Sequence, residues 1–148
     1  MEAVKISGGN KWEKALSKYK HPYLVRAGIL EGSTNGQTGE LIAPYAAANE
    51  YGTADIPSRP FMRTTVAGNG RTWAKNFAQL IRMKRPIPQA MELIGTRIVE
   101  DIQATIKSSM PPPNSPETLK RKHAATAGKC TLIDTGAMFT AIDYEVES

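Results

Sequence analysis

Asp134 is the residue of this chain whose surroundings come nearest to a catalytic motif, because it opens the sequence Asp-Thr-Gly-Ala at residues 134–137. A carboxylate in this setting does acid–base chemistry when it shares a proton with a second carboxylate, for example across a dimer. The chain has no second Asp-Thr-Gly, and only twelve residues follow Gly136. We therefore favour the alternative, in which Asp134 caps the N-terminus of a short helix.

The other residues able to do chemistry are isolated along the sequence. His21 and His123 lie beside proline and lysine, and no spacing of histidine, cysteine and carboxylates matches a zinc or iron site. We interpret Cys130 as a small buried or half-exposed thiol rather than a nucleophile. The sequence Gly68-Asn69-Gly70 lacks the ending of a phosphate loop, and Glu50 has no partner carboxylate. We predict no enzymatic activity, no metal and no cofactor.

The composition is typical of one folded domain of 148 residues, with 41% hydrophobic and 22% charged residues. We expect residues 1–22 to form an N-terminal extension and residues 110–130 a long flexible loop. The single cysteine makes the fold independent of oxidising conditions, and we expect no secretion signal and no membrane span. The net charge of +5 is scattered, so solvated charges are favoured over a nucleic-acid patch. The densest basic groups lie at residues 82–85 and 120–122.

Four segments are expected to form an antiparallel or mixed sheet. Residues 3–6, 23–30 and 141–147 alternate in the manner of strands. Residues 41–51 are ambiguous, because Ala46, Ala47 and Ala48 favour a helix whereas hairpin pairing with residues 23–30 favours a strand. Pro44 argues against a central sheet position near the start of this segment. We predict a strand.

Two long helices are expected to cover one face of this sheet. The first spans residues 61–82, with a kink or break at Gly68-Asn69-Gly70. The second spans residues 87–109, where apolar residues recur every three or four positions in the pattern of a buried helix face. Ser115 is positioned to cap one or two further turns after the proline-rich segment 110–116. The predicted fold class is α+β, with about four strands.

The corner between the third expected strand and the first long helix carries a distinctive sequence. It consists of Asn49-Glu50-Tyr51-Gly52-Thr53 followed by Ile56-Pro57-Ser58-Arg59-Pro60-Phe61-Met62-Arg63. This corner resembles a block in the tailed-phage neck and tail-completion proteins, which include tail-terminator-like and head–tail joining proteins. There a strand ends in Asn/His-Glu-Tyr/Phe-Gly, and Ile-Pro-x-Arg-Pro-Phe-hydrophobic-Arg opens a long helix. Residues 113–122, 132–138 and 141–147 are similar to later blocks of the family in the same order, so the resemblance covers about residues 25–146.

The resemblance implies a tail-terminator-like α+β subunit that assembles into a ring, often a hexamer. Such a ring stops tail growth or joins the tail to the head, in the virion, after assembly in the bacterial cytoplasm. The implied partners are other copies of the chain and tail-tube or head–tail connector proteins, with DNA met only as it passes through the ring lumen. Candidate subunit or partner contacts are Glu50, Arg59, Phe61, Arg63, Lys120, Arg121 and Lys122.

Within that set, Phe61 is expected to pack under the sheet. Glu50 is expected to form an ion pair with Arg59 and Arg63, within or between subunits. The alternative is that both arginines are simply solvated at a helix start, since exposed ion pairs contribute little stability.

Two other functions remain open from the sequence. The first is a small basic nucleic-acid-binding module, suggested by the isoelectric point of about 9.4 and the two basic groups. The second is an aspartic protease, because residues 134–137 are similar to the Asp-Thr-Gly-Ala signature of the retroviral type. That type needs a flap and further strands after the motif, and this chain has little sequence left to form them.

Overall fold

The computed structural model describes residues 23–122 and 130–148. The elements in chain order are β1 (Leu24–Ile29), α1 (Ile42–Tyr51), α2 (Phe61–Arg82), α3 (Ile87–Lys107), α4 (Pro116–Arg121), α5 (Ala137–Thr140) and β2 (Ile142–Glu147). The expected N-terminal extension, with its strand at residues 3–6, lies outside the described residues, as do His21 and His123. No helix within the described ranges is both long enough and apolar enough to cross a membrane.

The sheet consists of β1 and β2, which pair antiparallel with Leu24 opposite Glu147 and Ile29 opposite Ile142. These two strands are the whole sheet in residues 23–122 and 130–148. Helices and sheet coexist as the α+β prediction requires, but the predicted four-stranded sheet is wrong. The segment expected to be its third strand, residues 41–51, forms helix α1 instead.

Helix α1 forms because its local preferences agree with one another. Three consecutive alanines favour helix, and Pro44 lies in the first turn, where the backbone N–H has no helical partner. Within residues 23–122 and 130–148, β1 pairs with β2 and not with residues 41–51, so the expected hairpin ladder is not formed. What remains of the expected hairpin is one isolated bridge between Thr34 and Leu41, immediately before the helix begins.

Helix α2 confirms the expected span of residues 61–82, but the expected interruption at Gly68-Asn69-Gly70 does not occur. The Asn69 side chain donates to the carbonyl of Thr65 one turn earlier, at 3.2 Å. Trp73 Nε1 donates to Asp101 of α3 at 2.8 Å. The helix is therefore continuous through the glycines, with one bond inside α2 at Asn69 and one bond to α3 at Trp73.

Helix α3 begins where expected and ends at Lys107, two residues before the expected end. Its buried face includes Ile94, Ile102 and Ile106, as the three- and four-residue spacing predicts. This helix packs against both strands, whereas α2 packs mainly against α3. The expectation that both long helices cover the sheet directly is therefore wrong, because α2 forms an outer layer on α3.

One apolar cluster joins the corner between α1 and α2 to α3 and to the C-terminal segment. Its buried members are Ile42, Ala46, Phe61, Ile102, Ile106, Met110, Leu132, Met138 and Ile142. They come from α1, from the first turn of α2, from the C-terminal half of α3 and the residues just after it, and from the C-terminal segment. The corner that joins α1 to α2 therefore lies directly over the core.

The short helices differ in how they begin. Helix α4 confirms the predicted cap, since Ser115 Oγ accepts from the N–H of Thr118 at 3.2 Å. The predicted cap by Asp134 is wrong, because the N-cap residue of α5 is Gly136, which has φ 85°. The N–H of Ala137 is instead bonded by Thr135 Oγ1, at 3.3 Å.

Candidate functional site

The carboxylate of Glu50 closes the corner between α1 and α2. It accepts from the backbone N–H groups of Met62 and Arg63, at 2.9 and 3.1 Å. These groups belong to the first turn of α2, which begins after Pro60 and makes no side-chain cap of its own. Glu50 thus caps α2 from the end of α1 and places a negative charge at the positive end of the helix.

Loop residues satisfy the C-terminal carbonyls of α1. The carbonyl of Glu50 accepts from Ser58 Oγ at 2.8 Å and from Arg63 Nη2 at 2.7 Å. The carbonyl of Asn49 accepts from the N–H of Arg59 at 2.6 Å. These bonds use the polar groups that a helix end leaves unpaired, so the loop is fixed to α1 at several points.

Gly52 allows the loop to turn back so closely. Its φ is +80°, and a Cβ there would lie 3.0 Å from the backbone nitrogen of Ser58 and 3.1 Å from the carbonyl oxygen of Ile56. Both the left-handed conformation and the close backbone approach require glycine. This position explains why a glycine follows the Asn49-Glu50-Tyr51 sequence.

Arg63 and Glu50 form the ion pair within one chain, with Nε and Oε1 2.9 Å apart. The Glu50 side chain is 6% exposed, whereas that of Arg63 is 58% exposed. The Arg63 guanidinium also lies over the ring of Tyr51, 5.0 Å from its centroid. Phe61, which was expected under the sheet, is 1% exposed in the apolar cluster.

Arg59 takes no part in that ion pair. It is 5% exposed, and its Nε and Nη2 atoms donate to the carbonyls of Pro112 and Pro113 at 2.8 and 3.3 Å. Burial lowers the pKa of Arg59, and the nearby Tyr45 acts in the opposite direction. Arg59 therefore ties the corner to the proline-rich segment after α3.

The basic group at residues 120–122 divides into two kinds of side chain. Lys122 Nζ donates to the carbonyls of Cys130, Thr131 and Ile133, at 2.9, 3.0 and 2.8 Å. Burial lowers the pKa of Lys122, and Asp134 partly offsets this effect. Lys120 and Arg121 are exposed. Arg121 lies 3.9 Å from Glu117 of the same helix. Because the Lys122 ammonium group is bonded to carbonyls, residues 120–122 do not form one continuous basic surface.

The remaining chemical candidates lie apart from one another. Cys130 is half-buried, and its sulfur contacts the carbonyl of Lys107 at 3.4 Å. Glu50 is occupied in capping α2, and Asp134 faces Lys122. In the part of the chain that the structure describes, no three histidine, cysteine or carboxylate residues could hold a metal ion together.

Sequence reasoning missed the outer surface of α1. Its polar residues, Asn49 and Glu50, are buried, whereas Ala43, Tyr45 and Ala47 are exposed. Tyr51 is 70% exposed at the end of this surface. A helical assignment of residues 41–51 would not have been enough to find it, because Asn49 and Glu50 share the buried helix face with Ile42 and Ala46. We call Ala43, Ala47 and Tyr51, which recur every four residues, the outer face of α1.

The chain's own residues carry the interpretation of this corner. No family model, curated protein or solved structure matches the chain.

Proposed function

We propose that this chain is a structural morphogenesis protein of a tailed phage or prophage. In this proposal it forms a ring that completes or terminates the tail and joins it to the head. It would be assembled in the bacterial cytoplasm and reside in the virion. The resemblance of residues 49–63 to neck and tail-completion proteins motivates the proposal.

The observation that carries the proposal is that the shared residues of this block act together. Glu50 caps α2 and pairs with Arg63, Gly52 permits the close turn, and Phe61 lies in the core. Arg59 reaches the proline-rich segment, which belongs to another block of the resemblance. A resemblance is more specific when the shared residues contact one another in the fold than when the same residue types lie apart on the surface. The proposal rests on this corner and not on the sheet, which has fewer strands than expected.

The outer face of α1 supports a role in assembly. A helix at a protein surface normally exposes its polar side, but α1 buries Asn49 and Glu50 and exposes alanine and tyrosine. Leu41, immediately before the helix, is 57% exposed as well. Exposed apolar and aromatic residues grouped in this way are typical of protein–protein contacts. In the proposed ring this face contacts a neighbouring subunit or the tail.

The decisive experiment is binding to tail tubes or head–tail connectors from the phage or prophage that encodes the chain. We expect co-sedimentation with them, and rings in negative-stain images of the bound or concentrated protein. A protein that stays monomeric and never associates with tubes or connectors would exclude the proposal.

A matched pair of variants tests the outer face. Ala47→Lys adds a charge at its centre, and Ala74→Lys makes the same change at an exposed position of α2. We expect Ala47→Lys to abolish tube binding and Ala74→Lys to leave it unchanged. Equal binding by both variants would show that the outer face of α1 does not contact the tail tube.

A nucleic-acid-binding module is the second candidate, favoured by the exposed Arg82, Lys84 and Arg85 at the turn between α2 and α3. Phosphate contacts by these residues and by Lys120 and Arg121 would make DNA binding fall steeply with salt. The test is a DNA titration at low and moderate salt with the wild type and with Lys120 and Arg121 neutralised. Absence of binding at low salt removes this candidate.

A further inference from the structure

We infer that the cavity beside Arg59 is a binding site for an oxyanion, of the carboxylate or phosphate type. The cavity has a volume of about 640 Å³ and lies between the corner and α4. Its lining includes Tyr45, Arg59, Arg121, Lys122 and Asp134. It is distinct from the outer face of α1 and from the Glu50–Arg63 pair.

Arg59 is a buried cation that has no anionic hydrogen-bond or ion-pair partner among the residues that the structure describes. It is 5% exposed, and in residues 23–122 and 130–148 its bonds go to two neutral carbonyls, those of Pro112 and Pro113. Its Nη1 group donates to neither of them. Buried charges in folded proteins are normally paired, and arginine does not lose its proton to escape the cost. The guanidinium therefore has an unbalanced buried charge and free N–H donors with which to bind an anion.

The charges that line the cavity do not cancel. Burial lowers the pKa of Lys122 most, and the positive charge of Arg59 lowers it further. All three donors of the Lys122 ammonium group go to carbonyls, and Asp134 is the carboxylate that faces it. The charged residues of the lining are Arg59, Arg121 and Lys122, set against Asp55 and Asp134, so three positive charges face two negative charges. An entering anion would balance the remaining positive charge.

The guanidinium of Arg59 has the shape of an oxyanion-binding group. A guanidinium presents its N–H groups in a planar fork that matches two oxygens of a carboxylate or phosphate. Two of the five N–H groups of Arg59 are bonded to carbonyls, and these bonds hold the fork in place. Arg121 is exposed at the rim of the same cavity and adds positive charge there. The ligand class is therefore an oxyanion with at least two free oxygens.

The experiment is an NMR titration of the arginine side-chain N–H signals in the wild-type chain. Sodium acetate and inorganic phosphate are added separately, with sodium chloride as a reference at matched ionic strength. We expect the Arg59 Nε signal to move in a saturable way with acetate or phosphate and not with chloride. Arg63 is the internal control, because its guanidinium is already paired with Glu50. No saturable change at Arg59, or equal changes at Arg59 and Arg63, would overturn the site.

Two variants sharpen the result. Arg59→Lys keeps the charge but removes the fork, so we expect affinity to fall by about tenfold or more. Arg121→Gln changes only an exposed residue at the rim, and we expect a change of about twofold or less. Equal affinity of Arg59→Lys and the wild type would contradict the assignment to Arg59.

Measuring the oligomeric state by sedimentation, with and without acetate, identifies the source of the anion. If the natural ligand is a carboxylate on another copy of the chain, saturating acetate will compete with it and dissociate the oligomers. If the ligand is a free small anion, the oligomeric state will not change. The site itself is decided by the NMR titration alone. If the chain binds acetate but never forms rings, the site is retained and the proposed function is excluded. If the chain forms rings but does not bind acetate or phosphate, the proposed function is retained and the site is excluded.

Discussion

Glu50 and Arg63 are joined through both their side chains and their backbones. The Glu50 carboxylate accepts from the N–H and from Nε of Arg63, at 3.1 and 2.9 Å, and the Glu50 carbonyl accepts from Nη2 at 2.7 Å. These bonds fix the last turn of α1 against the first turn of α2. The angle between the two helices is therefore held by polar contacts as well as by the apolar cluster beneath them.

Replacing Glu50 should destabilise the chain strongly. Glu50→Ala leaves the N–H groups of Met62 and Arg63 without their acceptor and removes the charge at the start of α2. We expect the free energy of unfolding to fall by about 2–3 kcal/mol, measured by urea denaturation. Glu117→Gln is the matched control, because Glu117 is 83% exposed and lies 3.9 Å from Arg121. Its effect should be below about 0.5 kcal/mol, and similar losses for both variants would contradict the capping role.

Gly52→Ala tests the close approach of the loop to α1. The substitution places a Cβ against the Ser58 backbone in a left-handed conformation, so we expect a loss of about 2–3 kcal/mol. Gly32→Ala separates the two contributions, because Gly32 also has φ +80° but no atom within 4 Å of its Cβ position. It should lose only about 1 kcal/mol. Equal losses would mean that crowding at Gly52 is relieved by movement of the loop.

Two helical glycines should respond to alanine with opposite signs. A Cβ at Gly95 would overlap the ring of Tyr144, which packs on α3 and bonds to Glu92 at 2.7 Å. We expect Gly95→Ala to lower the free energy of unfolding by about 2 kcal/mol despite its better helix propensity. Gly68 has open space around it, so Gly68→Ala should raise stability by about 0.5–1 kcal/mol. Urea denaturation of both variants measures the pair, and stabilisation by Gly95→Ala would contradict the observed packing.

The sequence predicted well the elements whose hydrophobic pattern repeats over many residues. The isoleucine spacing of α3 and the alternation of residues 23–30 and 141–147 predicted α3, β1 and β2 to within two residues. Such patterns reflect burial of one face over many residues, which a single chain reveals directly. Ser115 was equally predictable, because a serine before a proline at a helix start is a local signal.

The sequence did not reveal α1 or the partners of the corner residues. Helix α1 buries Asn49 and Glu50, so its hydrophobic pattern does not identify the buried face. The acceptors of Arg59 lie 53 and 54 residues away, in a proline-rich segment without periodicity. Contacts of this kind depend on tertiary packing, which local propensity does not specify. The expected pairing of Glu50 with Arg59 and Arg63 is confirmed for Arg63 and wrong for Arg59, and it accompanied a resemblance rather than a periodic pattern.

Lys122 should stabilise the fold far more than its neighbour Lys120. Its ammonium group donates to three carbonyls of the segment before α5, and Lys122→Met would leave those carbonyls without their donor. We expect a loss of about 2–3 kcal/mol, measured by urea denaturation. Lys120 is exposed two residues earlier, so Lys120→Met should change stability by less than about 0.5 kcal/mol. Similar values for the two variants would show that the three bonds contribute little, and Lys122 would then be available for an anion in the cavity beside Arg59.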